Sequence, residues 1–109
     1  MKTYPNQYAI KIEKRVLRPG EFTSIDSNAL FFAIRELSPS GLKLFLYLSN
    51  IPTGGVWHLS MAIVTAALNI STSSFHRAKK ELLEVGLLEK TENGSFIFRQ
   101  NIAENVKNE

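Results

Sequence analysis

Cysteine is absent from all 109 residues, which excludes disulfides and thiolate metal sites and suits a reducing compartment. No apolar run approaches the ~20 residues of a membrane span, and the start Met-Lys-Thr-Tyr-Pro-Asn-Gln lacks a signal-peptide core. The expectation is therefore a cytoplasmic protein with no membrane partner. Glycine-rich phosphate loops, nucleophile elbows and paired-carboxylate motifs are missing, and Gly54-Gly55 alone reads as a turn. His58 and His76 lack cysteine or carboxylate companions at ligand spacing, so neither zinc nor any other cofactor is expected. These absences argue against an enzyme. Net charge is small too, +3 at neutral pH, so its distribution says more than its total.

The basic excess lies at the front. Between Met1 and Gly20, Lys2, Lys11, Lys14, Arg15 and Arg18 face a single acid, Glu13, whereas the rest of the chain is nearly balanced. A solvated strand face and a phosphate-contacting arm are both compatible with such a cluster. In the same stretch Tyr8, Ile10 and Ile12 alternate with polar neighbours, a period of two that predicts a strand covered on one side. Arg18-Pro19-Gly20 breaks it, and Phe22 to Ile25 reads as a second extended piece. The two would form a hairpin ahead of the main domain or an arm that pairs with a second subunit. Residues 1–21 thus form a basic N-terminal strand or arm, 22–99 the main domain and 100–109 a polar tail, either frayed or a short amphipathic helix. A chain of this length forms one domain and buries about two-thirds of its unfolded surface.

Helix signals follow in order. Asp26-Ser27 supplies cap chemistry for Asn28 to Leu37, with Leu30, Phe31, Ile34 and Leu37 on one face. Ser38 caps the next helix and Pro39 takes its first position, where a missing N–H costs nothing. Lys43 to Asn50 is apolar on most sides and belongs mid-core. Ile51 to Gly55 is a connection, and Val56-Trp57-His58-Leu59 a short strand candidate. Ser60 is placed to cap a helix ending at Leu68, and Asn69-Ile70 makes a turn. Ser71 caps a second helix that Gly86 closes. Leu87 to Thr91 and Phe96 to Arg99 then read as a hairpin around Asn93-Gly94, with a two-residue turn placing Lys90 opposite Ile97. Leu87, Phe96 and Phe98 would share one face, and Leu88, Lys90, Ile97 and Arg99 the other.

On the helix after Ser71, a turn of about 100° per residue puts Phe75, Ala78, Lys79 and Leu82 on one side and Ser73, Arg77, Lys80 and Glu84 on the opposite one. Thr72, Ser74 and His76 lie at its N-terminal rim. Short hydroxyls permit close approach to a phosphate or base edge, the helix start carries partial positive charge, and Arg77 forks onto guanine. Glu81 and Glu84 would repel phosphates and so confine contact to the N-terminal half. On the hairpin, Lys90 is placed to reach backbone phosphate. Phe96 either packs on the domain or contacts sugars, thymine methyls or a partner. Lys11 and Lys14 extend the candidate surface onto the arm.

Helix, tight turn, capped helix and twisted hairpin is the order in which a winged helix-turn-helix meets DNA. Leu37-Ser-Pro-Ser-Gly-Leu-Lys-Leu-Phe-Leu-Tyr-Leu48, Trp57-His-Leu-Ser60, Leu68-Asn-Ile-Ser71 and Lys80-Glu-Leu-Leu-Glu-Val-Gly-Leu-Leu88 carry the resemblance. Over roughly Phe22 to Arg99 the chain resembles winged helix-turn-helix proteins of Gram-positive plasmids, phages and conjugative elements. The proteins it is similar to include replisome-organiser N-terminal domains and small accessory factors that bind an origin of replication or transfer. The implied fold is α+β: a core of three to four helices, a C-terminal β-hairpin wing and, in this chain, an N-terminal β extension. The implied activity is double-stranded DNA binding as a homodimer, with Thr72, Ser73, Ser74, His76 and Arg77 where such proteins usually read DNA. It would act at an origin of replication or transfer, or at a promoter. Acids close behind the basic residues and an aromatic wing depart from the pattern, and either shifts weight to the wing and arm. The alternative is a protein-interaction winged helix that docks a replication or transfer enzyme.

Overall fold

The computed structural model describes residues 8–51 and 58–100. They form an α+β fold of four helices followed by a two-stranded antiparallel hairpin. The elements are α1 (Ser27–Glu36), α2 (Pro39–Ser49), α3 (Met61–Leu68), α4 (Thr72–Val85), β1 (Leu88–Lys90) and β2 (Phe96–Phe98). No helix among the described residues is long and apolar enough to cross a membrane. The first half of the strand candidate Val56–Leu59, the start at 1–7 and the tail from 101 lie outside the described residues, and His58 and Leu59 carry no strand.

Local chemistry sets most helix ends. The Asp26 carboxylate accepts from the Ala29 amide at 2.9 Å, and the Ser38 hydroxyl accepts from Gly41 at 3.2 Å ahead of Pro39. The Ser71 hydroxyl accepts from Ser74 at 3.1 Å. Ser60 precedes α3, but its side chain makes no capping bond, contrary to expectation. Instead the Thr65 hydroxyl donates back to the carbonyls of Met61 and Ala62. Asn69 ends α3 with φ 55°, a left-handed conformation that asparagine tolerates better than most residues. At the end of α4, Gly86 takes φ 89°. Its N–H donates to Leu83 at 3.3 Å and that of Leu87 to Leu82 at 3.0 Å, the paired bonds of a Schellman cap. Leu82 and Leu87, which such a cap brings together, are both fully buried.

The core gathers around α2. Phe45 and Leu44 are buried, α2 touches each of the other three helices, and Phe45 meets Phe98 edge-on at 5.9 Å. Ala33, Val64, Ala78 and Leu82 complete the contact from neighbouring helices. α1 is turned by about one residue from the expected face. Ala29, Ala33 and Leu37 face the core, Leu30 and Phe32 flank it, and Phe31 and Ile34 remain about half exposed. The small residues one turn apart take the inner side, and the bulky ones are displaced outward. α3 has no charged residue, yet only Val64 is buried on it.

Two β expectations are corrected. Residues 8–26 contain no strand, so the N-terminal β extension is absent from the described residues. A strand covered on one side needs a neighbour to accept its backbone hydrogen bonds and its apolar face, and none is present within the described chain. The hairpin register is also shifted by one: Leu88 pairs with Phe98, Glu89 with Ile97 and Lys90 with Phe96. Thr91 N–H donates to Ser95 at 2.8 Å and Gly94 N–H to Thr91 at 3.1 Å, with Gly94 at φ 88°. The loop is thus three residues, Glu92-Asn93-Gly94, a tight turn completed by a left-handed glycine. One step of register moves every side chain to the other face. Leu88, Lys90, Phe96 and Phe98 therefore share one side, and Glu89 and Ile97 lie on the other, where Glu89 pairs with Arg99.

Candidate nucleic-acid interface

α4 is amphipathic with its core side closed. Ala78 and Leu82 are fully buried, while Phe75, Lys79, Leu83 and Val85 are half-buried around them. That burial turns the opposite side outward, leaving Thr72, Ser73, His76, Arg77 and Lys80 exposed and Ser74 half-buried. The hydroxyls are ordered among themselves. Ser71 Oγ lies 3.0 Å from Ser74 Oγ and 3.2 Å from Ser73 Oγ, and Arg77 Nη2 donates to Ser74 Oγ at 3.3 Å. The helix start thus collects three serine hydroxyls and a guanidinium with donors to spare, a surface suited to an anion or a base edge.

Glu81 is tied to a neighbouring helix. Its carboxylate reaches the start of α2, accepting from the Ser38 amide at 3.1 and 3.2 Å and from the Ser38 hydroxyl at 3.0 Å. The negative group meets the positive end of a helix, a favourable placement for a carboxylate. A Cβ on Gly41 would collide with Glu81 Oε1, so the close approach depends on glycine there or on displacement of the carboxylate. Glu84 remains exposed, so both acids expected on this face are present there. Between the helices runs an open groove of about 450 Å³, with Ser38, Pro39 and Ser40 on one bank and Arg77, Lys80, Glu81 and Glu84 on the other. Sequence reasoning missed this neighbourhood, because Ser38 and Glu81 are 43 positions apart and carry no shared local signal.

The shifted hairpin register puts Phe96 on the α4 side. Lys79 Nζ lies 4.4 Å from the centroid of its ring, a cation–π contact that ties hairpin to helix. Phe96 keeps 39% of its surface exposed, so it packs on the domain with one side while the other faces solvent. Lys90 lies directly opposite Phe96 and is exposed. Thr72, Ser73, Ser74, His76, Arg77 and Lys80 thus share α4, and Lys90 and Phe96 share the hairpin packed beside it. Lys11 and Lys14 are not joined to them: among the described residues no hydrogen bond or ion pair links either lysine to α4 or the hairpin, and Lys11 bonds Glu13 at 2.9 Å.

No cluster of three or more potential metal ligands exists among the described residues. The chain matches no family model, no curated protein and no solved structure.

Proposed function

We propose that this chain is a winged helix-turn-helix protein that binds double-stranded DNA without catalysing a reaction. α3 and α4 form the helix-turn-helix, α4 enters the major groove with its N-terminal half, and β1 and β2 form the wing. The observation that carries this reading is the division of α4. Its core side is closed at Ala78 and Leu82, and Ser73 and Arg77 are exposed on the far side with Lys80 beside them. The reading places the protein in the cytoplasm as a factor of a mobile element, acting at an origin or a promoter.

One observation favours a second reading. α3 is wholly uncharged, and Met61 and Ile63 on it are 40% and 65% exposed, a surface suited to docking a replication or transfer enzyme. Selection of bound fragments from a random DNA pool separates the two. DNA reading yields a recurrent motif whose affinity falls with salt. Feeble, motif-free binding even at low salt overturns it in favour of docking.

A further inference from the structure

The arm preceding α1 carries an apolar stripe that is exposed among the described residues. Tyr8, Ile10, Ile12 and Val16 are 84%, 74%, 70% and 95% exposed. Among the described residues, the arm's polar contacts are internal: Lys11 with Glu13, Arg15 with Glu21, and the amides of Arg18 and Glu21 closing a turn. Its root, by contrast, is fastened. Gln100 accepts from the Asp26 amide at 3.0 Å and donates to the Ser24 carbonyl at 3.2 Å, Thr23 bonds Asn50, and Ile25 packs on the core. A second uncovered apolar surface lies on α1, the helix this root leads into, where Phe31 and Ile34 are 55% and 51% exposed. The two surfaces belong to one chain and do not cover one another within it.

We propose that Tyr8–Val16 is a pairing strand for a second copy of this chain, joining its counterpart antiparallel across a twofold axis at Ile12. The segment is self-complementary in that register. Tyr8 meets Val16, Ile12 meets Ile12, and Ile10 lies opposite Lys14, whose stem covers apolar surface while its ammonium reaches water. On the other face Lys11 meets Glu13 twice, and Ala9 meets Arg15, so no like charges stand directly opposite. Pairing supplies the backbone partners that the isolated strand lacks. A two-stranded ribbon is marginal alone, so its apolar face lies on the exposed Phe31 and Ile34 of the two bodies, and the twofold operation covers both surfaces together. The pairing is independent of the nucleic-acid reading, because it is formed and measured without DNA.

Sedimentation equilibrium of the full chain without DNA, up to about 100 μM, is expected to give a concentration-dependent dimer. Ile12→Asp, which sets two carboxylates opposite each other, raises the dissociation constant at least about tenfold and leaves the melting of the body unchanged at monomer concentrations. Phe31→Asp weakens the dimer in the same direction. Because the chain has no cysteine, Ile12→Cys offers a direct readout of register: it oxidises to a covalent dimer, whereas Ala9→Cys, facing Arg15, does not. A monomer throughout the range, a dimer indifferent to Ile12→Asp, cross-linking at residue 9 in place of 12, or a drop in melting temperature without a change in mass overturns the proposal.

Discussion

The two halves of α4 are held differently. From Glu81 onward the helix is fastened: Glu81 to the start of α2, Leu82 into the core, and Gly86 and Leu87 into a cap that folds the chain back. From Thr72 to Lys80 it contacts the core on one side through Phe75 and Ala78, with Lys79 over the hairpin's Phe96, and its opposite side is open. Rigidity and exposure are thereby separated along one helix. A reading surface needs both, because contacts to base edges tolerate little positional error, and side chains that hold the scaffold are unavailable to the ligand.

Four substitutions sharpen or break this contrast. The largest effect is expected from Leu82→Ala in the fastened half, which opens a cavity and lowers stability by about 2–5 kcal/mol, read as a fall in melting temperature. Arg77→Ala in the open half is expected to leave melting within about 0.5 kcal/mol of the parent and to weaken binding to a selected site by about 1–3 kcal/mol with relaxed base preference. If Arg77→Ala instead destabilises the fold and spares binding, the division of labour is wrong. Glu81→Ala leaves the Ser38 amide and hydroxyl without their partner and is expected to cost about 1 kcal/mol of stability, measured by denaturant unfolding. Smallest is Lys90→Ala on the hairpin, which lowers DNA affinity evenly across sequences and reduces the salt slope by about one, without moving the melting temperature.

The legible parts of the fold were those whose cause is local. Ser38-Pro39, Ser71 and Gly86 act on amides and carbonyls within one turn, so the residues that end α2 and α4 lie beside the groups they satisfy. The outward placement of Ser73, Arg77 and Lys80 was also readable, because the apolar spacing of α4 has one dominant stripe. α1 shows the opposite situation. Ala29 and Ala33 compete with Phe31 and Ile34 for the inner side, and in the packed fold the small pair takes it. In the hairpin, Asn93-Gly94 suits both a two-residue and a three-residue loop, and the left-handed Gly94 at the end of the longer one sets the register. Phe96 consequently shares a side with Leu88 and Lys90, where the two-residue reading grouped it with Leu87, and lies beneath Lys79.

Sequence by itself determined where helices begin and end, the uncharged character of α3, the alternating arm and the hydroxyl-rich start of α4, because each follows from covalent neighbours and a fixed repeat. Tertiary structure decided which apolar residues are covered, which face of the hairpin meets α4, and that Glu81 serves α2. Burial and electrostatic pairing depend on what lies across a contact, and that partner stands tens of positions away along the chain.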